Sequence, residues 1–159
     1  MSLENASAAA FRLLHSRGEK VSFAESLTGG LIAASFVGNS GASAVLDESY
    51  VTYASASKVK ILGVAQETVD TVGVVSERCA REMAEGVRRI SGADWGVSAT
   101  GLAGPDGGTD ELPVGTVFIG VAGKNGAQAY KCNFKGDRTQ VRMQAAQRAF
   151  ELLAERIEE

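Results

Sequence analysis

Apolar and polar positions change their period several times along the chain, and each change marks an element. Ala10, Leu13 and Leu14 recur at helical spacing, and Gly18 supplies a stop. Residues 21–24 form a short run with the character of a buried strand. Thr28 then reads as the N-cap of a helix that carries Ile32 and Phe36. The stretch 43–54 ends in Val51-Thr52-Tyr53, so its second half is expected to be a strand. Residues 57–62 predict a short helix closed by Gly63. A longer helix follows, with Ser76 as cap, Met83, Val87 and Ile90 on its apolar side, and its end near Gly92.

Residues 95–99 read as another strand, followed by a glycine-rich loop over 101–113. Two further strands, 117–122 and 127–134, flank Lys124-Asn125-Gly126. Asn-Gly favours the centre of a tight hairpin because both residues tolerate positive φ, so these strands should be antiparallel. Asp137 is the expected cap of a last helix, whose stripe is Ala146, Ala149, Phe150, Leu153 and Ile157. Helices alternating with strands, plus one hairpin, predict an α/β fold. The expected form is a three-layer α/β/α sandwich around a mixed, mostly parallel sheet. No linker, repeat or low-complexity segment interrupts residues 1–159, which are expected to form one domain.

Composition narrows the function. Hydrophobic residues make up 45% and charged residues 22%, the profile of a folded globular chain. A net charge of -3 argues against nucleic acid as the main partner. No apolar run is long enough to cross a bilayer, and Met1-Ser2-Leu3-Glu4 lacks the basic start of a signal peptide. The expectation is a cytoplasmic protein with no membrane partner. Cys79 and Cys132 form no CxxC pair and read as free thiols in a reducing compartment. Two cysteines and one histidine make a Cys/His metal site a poor fit. The one histidine, His15, falls in a surface helix, so a serine hydrolase built on this chain would need another base.

Four segments can carry chemistry. Glu25-Ser26-Leu27-Thr28-Gly29-Gly30 lies where a strand gives way to a helix, the place where ligands bind open α/β sheets. Free N–H groups there suit a phosphate, or an oxyanion beside a nucleophile, and Gly29 and Gly30 permit close approach. Tyr53-Ala54-Ser55-Ala56-Ser57-Lys58 stands at a second such junction. Lys58 opposes the helix dipole there, and a positive helix end lowers a lysine's pKa as a catalytic base requires. The loop from Gly101 through Gly104 to Gly108 has more glycine than one turn needs and suits a backbone wrapped around a ligand. Arg138 and Arg142 share one helix face, where two guanidinium groups suit phosphate or carboxylate. The bland alternatives are a capped turn, a solvated lysine, a surface turn and a salt-bridged helix.

In order, the segments ESLTGG, VTYASASK, TGLAGPDGG with PVGTV, and GDRTQVR resemble the C-terminal domain of the CinA family, over residues 3–156. Stand-alone members of that family include nicotinamide-nucleotide amidases. The resemblance implies hydrolysis of the carboxamide of nicotinamide mononucleotide to nicotinate mononucleotide and ammonia, with no metal or organic cofactor. It implies Ser26 as nucleophile, Lys58 as base and Tyr53 as a hydrogen-bonding member of the site. Leu27 and the Ala54-Ser55-Ala56-Ser57 stretch depart from the usual family pattern and leave nucleophile and base in place.

In this reading the N–H groups of Thr28, Gly29 and Gly30, or of the Gly101–Gly104 loop, hold the oxyanion. Arg138 and Arg142 then serve the substrate phosphate. A lysine base needs a pKa near 7 to 8 rather than about 10.4, so Lys58 should be buried and within reach of Ser26. The partner is a pyridine mononucleotide. A homodimer is compatible with the sequence, although no particular residue argues for it. Two other readings fit the same residues: a Ser/Lys amidase for another small amide, and a non-catalytic nucleotide-binding module.

Overall fold

The computed structural model describes residues 1–159. Six helices and five strands follow one another as α1 (Leu3–Arg17), β1 (Val21–Glu25), α2 (Leu31–Val37), β2 (Tyr50–Val51), α3 (Ser55–Leu62), α4 (Gln66–Asp70), α5 (Glu77–Ser91), β3 (Trp95–Gly101), β4 (Thr116–Gly123), β5 (Gly126–Asn133) and α6 (Arg138–Glu158). The sheet order is β2-β1-β3-β4-β5. β1 pairs in parallel with β2 and β3, whereas β4 runs antiparallel to both β3 and β5. Thus four strands point one way and β4 alone is reversed, so the sheet is mixed as expected, with two parallel and two antiparallel pairings.

Alternation along the strands sends each face into a different core. Val21, Phe23, Val97, Ala99, Val117, Ile119 and Val121 meet Leu14 of α1, Ile32 and Phe36 of α2, and Phe150 and Leu153 of α6. Phe23, Phe36 and Phe150 pack against one another with centroids 5.5 to 6.0 Å apart. On the other face Ala24 packs with Leu62, Val64, Cys79, Met83 and Val87, which belong to α3, α5 and the segment after α3. Helices therefore cover both faces, and the fold is the three-layer sandwich.

Local chemistry sets most boundaries. Ser76 accepts a hydrogen bond from Cys79 N, and Asp137 forms a reciprocal capping box with Gln140, devices worth about 1 kcal/mol each. Three expectations need correction. Thr28 is not the cap of α2: its Oγ1 is buried without a partner, and the helix starts at Leu31. Gly30 holds the cap position, and the capping acceptors come from Glu25 of the preceding strand. Its Oε1 accepts from Gly30 N (3.1 Å) and Ile32 N (2.9 Å), and its Oε2 accepts from Ala33 N (3.0 Å).

The hairpin is antiparallel, but its two-residue turn is Lys124-Asn125 rather than Asn-Gly. Gly126 already pairs with Gly123 and takes the positive φ, and no non-glycine residue has one. β2 is also shorter and earlier than expected, covering Tyr50–Val51. The unforeseen α4 has too few apolar positions for a periodic signal. It is held from outside, because Glu82 of α5 accepts from Ala65 N and Thr68 Oγ1.

Candidate active site

β1, β2 and β3 run in the same direction, and the segments that leave their carboxyl ends converge on one cleft. Its volume is about 300 Å³. Ser26 follows β1 directly, and its N–H donates to Ala99 O (3.0 Å), which extends the β1–β3 pairing by one residue. Its side chain is thereby fixed at the sheet's end. Lys58 sits in the first turn and a half of α3, after β2.

The lysine is 1% exposed and Ser26 is 8% exposed. Lys58 Nζ lies 2.9 Å from Ser26 Oγ, 2.7 Å from Thr52 O and 3.0 Å from Tyr53 O. These are the burial and reach that a lysine base requires. Three partners match either protonation state. An ammonium donates to all three. A neutral amine donates its two hydrogens to the carbonyls and turns its lone pair toward the serine hydroxyl.

Burial lowers the Lys58 pKa below its ordinary 10.5. The neighbouring Cys79 would raise it only as a thiolate. Burial pushes that thiol up to about 11, so at neutral pH it is uncharged.

The remaining sequence candidates divide into two groups. Tyr53, Gly101, Gly104 and Arg138 line the cleft beside Ser26 and Lys58. Tyr53 stands 64% exposed at the mouth, with its hydroxyl 3.4 Å from Arg138 Nη2 rather than in the Ser26–Lys58 pair. Arg138 Nη1 donates to Gly104 O at 2.6 Å, tying α6 to the glycine loop. Gly101 permits close packing, since a Cβ there would lie 2.5 Å from Thr116 O.

Thr28, Gly29, Gly30 and Arg142 lie outside the lining. Arg142 Nε donates to Leu27 O (2.9 Å) and its Nη2 to Thr28 O (3.0 Å), a clamp on the turn that carries Ser26. Gly29 N donates to Ser26 O and Gly30 N to Glu25, so neither faces a ligand. The phosphate cradle considered at the start of α2 is therefore filled by the protein's own carboxylate.

Val74, Val75, Thr100, Leu102, Ala103 and Asp106 also line the cleft. Leu102, Ala103 and Asp106 sit inside the recognised glycine-rich segment. Val74 and Val75 come from the approach to α5 and carry no motif. The N–H groups of Leu27, Ala103 and Gly104 have no acceptor in the protein and border the cleft. No three His, Cys, Asp or Glu side chains converge as a metal-ligand group. A larger apolar groove of about 640 Å³ between α1 and α6 contains no paired nucleophile and base. No helix is long and apolar enough to cross a membrane.

Fold and site together define a three-layer α/β/α protein with a buried amine against a serine hydroxyl at the carboxyl ends of parallel strands. The chain matches the CinA C-terminal domain over residues 3–157 and belongs to that family. A CinA-like protein of Anaeromyxobacter sp. (strain K) is 52% identical over 140 residues, covering 88% of this chain and 34% of that protein. The chain thus spans about a third of the length of such CinA-like relatives. A protein of Enterobacter agglomerans named nicotinamide-nucleotide amidohydrolase PncC is 50% identical, covering 84% of this chain and 82% of that one. Among solved structures, competence damage-inducible protein A from Klebsiella pneumoniae subsp. pneumoniae MGH 78578 superposes with a TM-score of 0.96 at 32% identity, covering 100% of this chain and 99% of that one.

Proposed function

We propose that the chain is an amidohydrolase that converts nicotinamide mononucleotide to nicotinate mononucleotide and ammonia through a Ser26–Lys58 pair. The observation that carries the reading is the lysine amine, 1% exposed and 2.9 Å from the serine hydroxyl in a cleft. The similarity to a protein named nicotinamide-nucleotide amidohydrolase supports the choice of substrate.

Neutral Lys58 takes the proton from Ser26 Oγ as that oxygen attacks the amide carbon. The tetrahedral oxyanion meets the free N–H groups of Leu27, Ala103 or Gly104, and one such donor is typically worth about 3 kcal/mol. Lys58 returns its proton to the nitrogen as ammonia departs. Water then adds to the acyl-serine with Lys58 again as base, releasing the carboxylic acid. The carbonyls of Thr52 and Tyr53 hold the amine in place throughout. Arg138, at the mouth, serves the substrate phosphate, while Arg142 supports the Ser26 turn.

The test is ammonia release from nicotinamide mononucleotide. Ser26→Ala and Lys58→Ala should each lower kcat on the order of 10³-fold or more. Arg138→Ala should chiefly raise KM. If the unaltered protein binds the mononucleotide without releasing ammonia, it is a binding module rather than an enzyme. Ammonia release from other amides but not from the mononucleotide would move the activity to another substrate.

A further inference from the structure

We infer that Asp106 accepts hydrogen bonds from the substrate's ribose hydroxyls and so makes the cleft select ribosylated amides over free ones; this rests on the amidohydrolase reading above. Asp106 is the only carboxylate in the lining. In a Pro-Asp-Gly turn the aspartate usually bonds a backbone N–H nearby, which explains its presence there. Here its carboxylate is exposed to solvent and has no hydrogen-bond or ion-pair partner in the protein, so the turn does not use it.

Arg138, of opposite charge in the same cleft, does not pair with it: its Nη1 donates to Gly104 O and its Nη2 lies 3.4 Å from the Tyr53 hydroxyl. An acceptor-only group and a donor-only group therefore face one cleft without satisfying each other. A sugar phosphate satisfies both. Its hydroxyls donate to the carboxylate, and its phosphate oxygens accept from the guanidinium. The reverse arrangement would set phosphate against carboxylate.

Depth fixes which part of the substrate meets Asp106. The carboxamide must reach Ser26 and Lys58 at the buried floor, with the ring along Leu27, Val74, Val75 and Leu102. Asp106 is exposed, so it stands at the mouth, beyond the ring. The sugar follows the ring in that direction. A free amide fills the floor and leaves Asp106 unengaged.

The experiment compares the unaltered protein, Asp106→Ala and Asp106→Asn on three amides: nicotinamide mononucleotide, its 2′,3′-dideoxyribose analogue and free nicotinamide. Asp106→Ala should raise KM for the mononucleotide about tenfold or more, the usual weight of a hydrogen bond to a charged group, with little change in kcat. It should leave KM for the dideoxy analogue and for free nicotinamide unchanged. Asp106→Asn, which keeps one acceptor oxygen, should fall between. An unchanged KM for the mononucleotide overturns the inference. An equal rise with the dideoxy analogue also overturns it and assigns Asp106 to the charge of the pyridinium ring.

Calorimetric Kd values for nicotinate mononucleotide with the same three proteins read the contact without chemistry. A protein that releases no ammonia yet binds this nucleotide, with Asp106→Ala about tenfold weaker, would refute the amidase and retain the ribose contact. A protein that neither releases ammonia nor binds this nucleotide refutes both.

Discussion

Lys58 is an amine held without an opposing charge, and its surroundings shift it in one direction. Because burial lowers its native pKa, the unfolded chain holds more protons than the folded one between that value and the ordinary 10.5. Stability should therefore rise with pH across this window. In Lys58→Met the same contribution should be absent, which urea midpoints at pH 7 and pH 9.5 will show for the two proteins. The catalytic counterpart is a kcat/KM that climbs with pH as Lys58 deprotonates, and a profile falling over the same range would remove Lys58 as the base.

Glu25 acts differently: three N–H groups at the start of α2 depend on its two oxygens. Glu25→Ala should cost roughly 3 kcal/mol or more in urea unfolding, since it leaves several buried donors without acceptors. The sequence placed Ser26 and Lys58 at strand-to-helix junctions. It named Thr28 as the cap because threonine is a common cap residue; that the Glu25 carboxylate reaches the helix depends on the strand's path, which local sequence does not carry.

At the level of elements, α5 lies unusually close to the sheet. A Cβ on Gly120 would fall 2.3 Å from Ala80 O and 2.6 Å from Ser98 Oγ, and one on Gly96 would fall 2.2 Å from Ala84 O. Two backbone carbonyls of α5 thus rest where side chains would stand. Gly120→Ala should push α5 outward at a cost of about 1–3 kcal/mol. In thermal unfolding that corresponds to roughly 2–4 °C per kcal/mol.

The long elements were legible because α5 and α6 repeat an apolar stripe over several turns and β4 is an unbroken apolar run bounded by turn residues. The short ones were not. β2 has two residues and α4 has five, and both exist through partners distant in sequence: β1 for the former, Glu82 for the latter. Val74 and Val75 escaped for the same reason, since their place in the cleft depends on how the approach to α5 crosses the end of β3.

Across the whole molecule, the connections explain why the cleft lies where it does. From β1 the chain passes through α2 to β2 on one side, then through α3, α4 and α5 to β3 on the other. Parallel crossovers share one hand, so connections that leave in opposite directions lie on opposite faces. The two connections leave the carboxyl ends of the neighbouring strands β1 and β2 toward opposite faces, and an opening lies there. This opening was legible as a location; the antiparallel return of β4 shows that only its rim depends on the hairpin half. Hydrogen exchange should separate these regions. Amides of β1, β3 and β4, covered on both faces, should exchange slowest, and the loop 103–113 much faster. Slow exchange in that loop would mean it is as rigid as the sheet.

Lys58 is gripped by peptide oxygens, which every amino acid carries. The four residues between Tyr53 and the lysine are exposed or nearly so. Their side chains act as a spacer of fixed count, and that stretch can drift in composition over evolutionary time while the amine stays aimed at its hydroxyl, provided no residue is gained or lost.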